Sequence, residues 1–300
     1  MSAPATSADE APTFFRAGSH ELFGILTRPT VDPRGSALIM LAGGCYVPAM
    51  HRNRLSVRIT RRAAALGYHA FRMDYHGVGE STGFVETWRL GDLFVDDLEG
   101  GLAWIRQQGI SRFVLAGSCF GARTCLATAA RVRELEAVIL LVPPVRDFEM
   151  GMREVEAAPP SSDLKRAFSK EKLRGLLDAR TRSRYRRRGW ALLAAAARRA
   201  ARRLGIGPRD EFASRVSRKF LDSLDALVER RIPVLIVYGD QDSDYREFRR
   251  AQAGRLGKIL ERAAGRVEVR VAPGQVHGFT TLGAQETTLE IIEEWLAREH

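Results

Sequence analysis

Three hundred residues with 45% hydrophobic, 28% charged and 8% aromatic side chains fall in the ordinary globular range, which excludes collagen-like, coiled-coil and wholly disordered chains. Three cysteines, Cys45, Cys119 and Cys125, are too few and odd in number for a disulfide framework, and no stretch approaches the ~18 apolar residues of a membrane span. The net charge is +11, and residues 146–231 hold 23 Arg and Lys against 12 Asp and Glu, while the rest of the chain balances 24 with 24.

Residues 1–12 have neither a basic segment nor an apolar run, so they read as a disordered tail and not a signal peptide. With so few cysteines, the expected home is the reducing cytoplasm. FFRA and ELFGILTRP follow as two short strands, and SALIMLAGG as a buried strand running into glycines. Leu55, Ile59, Ala63 and Leu66 recur near helical spacing, and Gly67 stops that helix. YHAFRMDYHG is the next strand. Residues 88–109 predict a helix with Leu93, Leu98, Leu102 and Ile105 on one side, and SRFVLAGSCFGARTCLATAA passes from strand through a glycine turn into helix. LEAVILLVPP closes the first half as a buried strand.

Residues 146–225 contain helical patterns and no strand, and they hold most of the net positive charge. Strand and helix then alternate again: IPVLIVYGDQD, EFRRAQAGRLGKILERAAG, VEVRVAPGQVHGF and TTLEIIEEWLARE. The expectation is a mostly parallel, doubly wound α/β sheet of about eight strands. Its core comprises residues 13–145 and 226–300, interrupted by a basic helical insertion at 146–225.

The turn in AGSCFG fits a strand-to-helix elbow, in which the residues two before and two after the central one must be small. With Ser118 central the flanks are Ala116 and Phe120, and phenylalanine is far too large. With Cys119 central they are Gly117 and Gly121, so the cysteine is the candidate nucleophile. At the first turn of a helix and beside an imidazole, its thiolate is favoured. The Phe120 N–H would face a developing oxyanion. Cys125 falls within the helix and reads as core.

Two more candidates lie past predicted strand ends, where open α/β sheets place their ligands. His277, in VHGF, is the candidate base. The loop DQDSD supplies its carboxylate from Asp240, Asp242 or Asp244; YGDQD resembles the glycine-x-x-aspartate loop that carries the acid in folds with such an elbow, which favours Asp242, with Asp240 in reserve. The glycines of LAGGCY follow the third strand, a place that resembles the one where folds with such an elbow supply their second oxyanion donor, here the backbone of Gly44 or Cys45. His51 reads as a solvated residue leading into a helix. The six histidines show no paired ligand spacing, so neither metal nor cofactor is expected.

These residues together resemble the α/β-hydrolase family. AGSCFG looks like its nucleophile elbow with cysteine in the usual serine's place. Asp74, Gly77, Gly79 and Ser81 of MDYHGVGES are similar to its aspartate-x-x-glycine-x-glycine-x-serine turn, GDQD and VHGF occupy its acid and histidine positions, and residues 146–225 fall where the family inserts a helical lid. The cysteine elbow with GGCYVPAMHRNR is similar to exosortase-associated hydrolases, and dienelactone hydrolases and thioesterase-like members also use a cysteine. The resemblance implies an ester or thioester hydrolase or acyltransferase working through Cys119, His277 and Asp242.

A cysteine acyl-enzyme is itself a thioester, so coenzyme A or acidic carrier-protein thioesters are expected acyl donors, and both would suit a basic insert. The abundance of Arg and Ala is also what a GC-rich genome produces. An alternative reading is a hydrolase-like binding scaffold: Arg198, Arg199, Arg202 and Arg203 share a helical face with Trp190, Leu193 and Leu204 nearby, a pattern suited to an anionic membrane surface. Sparse aromatic residues argue against a nucleic-acid platform. A redox link between Cys45 and Cys119 is a narrower option.

Overall fold

The computed structural model describes residues 9–44, 47–51, 54–150, 215–277 and 281–298. In chain order the strands are β1 (Glu10–Ala17), β2 (His20–Thr27), β3 (Ser36–Leu41), β4 (His69–Met73), β5 (Trp88–Arg89), β6 (Arg112–Ser118), β7 (Leu135–Leu141), β8 (Glu149–Met150), β9 (Val234–Gly239) and β10 (Val267–Ala272). Eight form one sheet in the order β1-β2-β4-β3-β6-β7-β9-β10, and β5 pairs with β8 in a separate ribbon. The β1–β2 hairpin is antiparallel, as is the junction of β2 with β4; every pairing from β4 to β10 is parallel.

Why the central strands form is plain from their composition. Every residue of β3 and of β9 is buried, as continuous apolar runs in a sheet covered on both faces require. Cover comes from α1 (Leu55–Ala65), α2 (Val95–Gln107), α3 (Phe120–Ala129), α4 (Arg218–Glu229), α5 (Ser243–Ala251), α6 (Arg255–Arg262) and α7 (Leu282–Leu296). They pack in two groups, α1 with α7, and α2, α3, α4 and α6 in succession. The eight-stranded, mostly parallel sheet with helices is therefore the architecture expected from the alternation of apolar strands and amphipathic helices.

Register decides where chemistry can occur. Leu41 lies opposite Gly117, Ser118 opposite Leu141, Leu141 opposite Val237, and Gly239 opposite Ala272. The carboxyl ends of β3, β6, β7, β9 and β10 thus stop flush along one edge, and the loops that follow them emerge side by side.

Several boundaries differ from expectation. The tail expected over residues 1–12 ends sooner, because Glu10–Pro12 already pair with Ile25–Thr27 in β1–β2. Trp88 and Arg89 are not the start of a helix: they pair with Met150 and Glu149, and α2 begins only at Val95. Residues 247–265 form two helices, broken at Gly254. The core resumes well before residue 226, since α4 buries Phe220, Leu221, Leu224, Leu227 and Val228 and is capped by the Ser217 hydroxyl, which accepts from Phe220 N–H at 3.3 Å. All described residues belong to one compact unit, residues 1–151 with 215–300; the other unit, 152–214, and with it most of the basic insert, lies outside them.

Candidate active site

The β6-to-α3 corner is held by Cys119, whose φ of 48° and ψ of −109° are a backbone conformation that L-residues rarely adopt. The reason it can turn there lies two residues away on each side. A Cβ on Gly117 would stand 2.4 Å from the Gly121 carbonyl carbon, and a Cβ on Gly121 would stand 2.4 Å from the Ala42 carbonyl oxygen and 2.7 Å from that of Leu41. No side chain fits at either flank, and Ser118 remains the last residue of β6. The strained apex is therefore Cys119, in the register that the flanking glycines implied. Because the Gly121 collision is with backbone, Gly121→Ala should cost about 3 kcal/mol or more in urea denaturation, and a variant as stable as the parent would contradict this packing.

Cys119 is half-buried and forms no disulfide among the described residues. Cys125, six residues further along, is fully buried and donates to the Ala116 carbonyl at 3.3 Å; burial pushes its thiol far above the usual range, as suits a core residue. The first backbone N–H groups of α3, beginning with Phe120, have no partner within the helix, and they carry its positive end toward the corner.

Past β10, the His277 ring nitrogen Nδ1 lies 2.9 Å from Asp244 Oδ2. The expectation that Asp242 holds this ring is corrected by the geometry. Asp242 is wholly buried, but its two oxygens are taken by backbone donors, Oδ2 by Gly239 N–H at 2.8 Å and Oδ1 by the His277 backbone N–H at 3.0 Å. Asp240, the reserve candidate, likewise accepts from Gly274 N–H at 2.8 Å. Asp242 and Asp240 tie the β10 loop to the end of β9. Asp244, on the first turn of α5, is the carboxylate that meets the imidazole, and it too is buried. In the tautomer whose Nδ1–H donates to this carboxylate, Nε2 carries the lone pair.

The third loop follows β3. Gly44 has φ +80°, and a Cβ there would stand 2.7 Å from Phe120 Cβ and 3.0 Å from Trp88 Cε3, so its backbone lies directly on the residue after the elbow. Cys45, the other donor candidate, lies outside the described residues. Two buried groups hold this loop: the Tyr75 hydroxyl donates to the Ala42 carbonyl at 3.2 Å, and Asp74 Oδ1 accepts from Ala49 N–H at 2.5 Å. Asp74 opens the glycine-rich turn, in which Ser81 Oγ accepts from Phe23 N–H at 2.9 Å. His51, further along, is half-buried, and its carbonyl accepts from Arg54 N–H at 2.7 Å.

Burial raises the Asp74 carboxyl from 3.8 to about 6, against the lowering effect of the Ala49 hydrogen bond. An acid whose folded value exceeds its unfolded one opposes folding once ionised, so this group should erode stability as pH rises from about 4 to about 6. Asp74→Asn keeps an acceptor for Ala49 and removes the titration. Between pH 4 and pH 7 the native protein should lose up to about 3 kcal/mol relative to that variant. Parallel pH profiles in urea denaturation would refute the assignment.

Among the described residues no group of three or more His, Cys, Asp or Glu is disposed to hold a metal ion, and no helix is long and apolar enough to cross a membrane. The Arg-rich helix expected near residues 190–204 lies outside the described residues.

The model of the alpha/beta hydrolase family matches residues 38–277. No curated protein matches the chain in sequence. Among solved structures the chain is similar to an alpha-beta serine hydrolase homologue from Coxiella burnetii, at 16% identity over 98% of this chain and 100% of that one, with a TM-score of 0.55. It is also similar to the esterase Pf2001 of Pyrococcus furiosus, at 16% identity, 97% and 92% coverage and a TM-score of 0.56. Est1E from Butyrivibrio proteoclasticus, solved with ferulic acid, gives 17% identity, 95% and 97% coverage and a TM-score of 0.57.

Proposed function

The chain belongs to the alpha/beta hydrolase family, and from that premise we propose that it cleaves acyl thioesters, and more slowly esters, through a cysteine nucleophile: Cys119 attacks, His277 moves the proton and Asp244 orients His277. The observation that carries the reading is Cys119 at the strained apex with no room for a side chain at Gly117 or Gly121.

The chemistry follows in order. The Cys119 sulfur adds to the acyl carbon, and Nε2 of His277 takes the thiol proton. The carbonyl oxygen becomes an oxyanion facing the Phe120 N–H and the backbone of Gly44 or Cys45. The tetrahedral species collapses, the leaving thiol or alcohol takes the proton from His277, and an acyl-Cys119 thioester remains. Water, deprotonated by His277, then attacks the same carbon, and the acid departs as Cys119 recovers its proton. An acceptor other than water would make the second half a transfer.

Thioester donors suit this nucleophile because exchange of one thioester for another is nearly isoenergetic, whereas an oxoester must expel a poorer leaving group. Coenzyme A or an acidic carrier protein is the proposed acyl carrier, since residues 146–231 concentrate the +11 charge that would attract an anion. Matched thioester and oxoester substrates of one acyl group test this. The thioester of coenzyme A should give a kcat/KM at least about tenfold higher, and one that falls as salt is raised. Equal rates for the two, without salt dependence, would reject the carrier.

A further inference from the structure

Arg123 lies on α3 one turn beyond Cys119 and is 1% exposed. Its Nη1 donates to the carbonyls of Pro144 at 3.0 Å and Arg146 at 3.4 Å; its Nη2 donates to Asp147 Oδ1 at 2.7 Å, Ser217 Oγ at 2.9 Å and the Leu90 carbonyl at 3.4 Å. The guanidinium sits 5.6 Å from the centre of the Phe220 ring. Burial lowers its pKa, yet a guanidinium stays charged at any ordinary pH, so the fold bears the desolvation of a cation to keep one fork here.

What the fork gathers is specific. Leu90 follows β5, residues 144–147 run from β7 into β8, and Ser217 begins α4. Leu90 N–H also donates to the Phe148 carbonyl at 3.0 Å, continuing the pairing of Trp88 with Met150 and Arg89 with Glu149. The fork therefore anchors both strands of the β5–β8 ribbon to the helix that begins at the elbow.

That ribbon carries Trp88 to the candidate oxyanion site. Its buried ring lies 4.9 Å from the Phe120 ring, edge to face, and its Cε3 is the atom that a Cβ on Gly44 would approach to 3.0 Å. Trp88 thus packs against the Gly44 backbone on one side and the Phe120 side chain on the other, the two residues whose N–H groups are the candidate oxyanion donors. Resting on the proposed acyl chemistry, we infer that Arg123 is a positioning residue for the oxyanion hole, acting through the β5–β8 ribbon and Trp88. A leucine or methionine would fill the same volume but would leave the carbonyls of residues 90, 144 and 146 and the Asp147 carboxylate without their donor.

Two reactions of the same sulfur separate this role from general support. Acylation by a thioester builds an oxyanion; alkylation by iodoacetamide does not. Arg123→Lys keeps the charge near Cys119 and loses the planar fork. In this variant the pre-steady-state acylation rate should fall at least about tenfold, while the alkylation rate stays within about twofold of the parent. An unchanged acylation rate, or a parallel fall in both, overturns the inference. If Arg123→Lys does not fold, Asp147→Asn weakens the same clamp at its half-exposed end, and a smaller loss confined to acylation is expected; a loss shared with alkylation, or none, again overturns it. Failure of the parent protein to acylate at all would instead count against the cysteine mechanism itself.

Discussion

Cys119→Ala should lower turnover of thioester and activated-ester substrates by about 10⁴-fold or more, because the covalent route disappears and only the oxyanion donors and binding remain to assist direct attack by water. No other thiol among the described residues can take over. Cys125 is enclosed, hydrogen-bonded to Ala116 and held protonated by burial. Ser118→Ala is the matching control: as the last residue of β6 rather than the apex, Ser118 should be replaceable with a change of only severalfold. Folding should be spared in both variants, since each removes a single atom beyond Cβ. Retention of turnover in Cys119→Ala would show that hydrolysis proceeds elsewhere.

Asp244→Asn should be the next most damaging change, lowering kcat on the order of 10³- to 10⁴-fold. An amide at this position can present its NH₂ to Nδ1, which stabilises the tautomer with the proton on Nε2 and removes the lone pair needed to accept from Cys119. It also removes the charge that would steady an imidazolium. Asp242→Asn should behave differently. Its oxygens serve the backbone N–H groups of Gly239 and His277, so that variant should lose stability and raise KM with a far smaller fall in kcat. Comparing kcat and urea midpoints for the pair checks this, and the reverse ranking in kcat would return the catalytic carboxylate to Asp242.

Much of this was legible in the sequence because the governing constraints are local. Gly117 and Gly121 identify Cys119 by sterics alone, two residues to either side. The apolar runs of β3, β7 and β9 could only be central strands, and the order of Cys119, the acidic loop and His277 followed from which strands they terminate. Choosing among Asp240, Asp242 and Asp244 was of another kind. All three stand within five residues, and what separates them is which one meets backbone donors and which one meets a ring brought in by β10, a tertiary fact with no spacing signature. Arg123 was hidden for a similar reason: in ARTCL it reads as an ordinary helical arginine, and only the convergence of residues 90, 144–147 and 217 makes it a buried clamp. Trp88 and Arg89 looked helical because their partners, Glu149 and Met150, lie sixty residues away in sequence.

Intact-mass spectrometry of the protein quenched during turnover of an acyl-thioester panel tests the central claim most directly. One adduct of the acyl mass should form, map by peptide fragmentation to Cys119 alone, and vanish in Cys119→Ala. A catalytically active protein with no adduct on Cys119, or one acylated at another residue, would contradict the account.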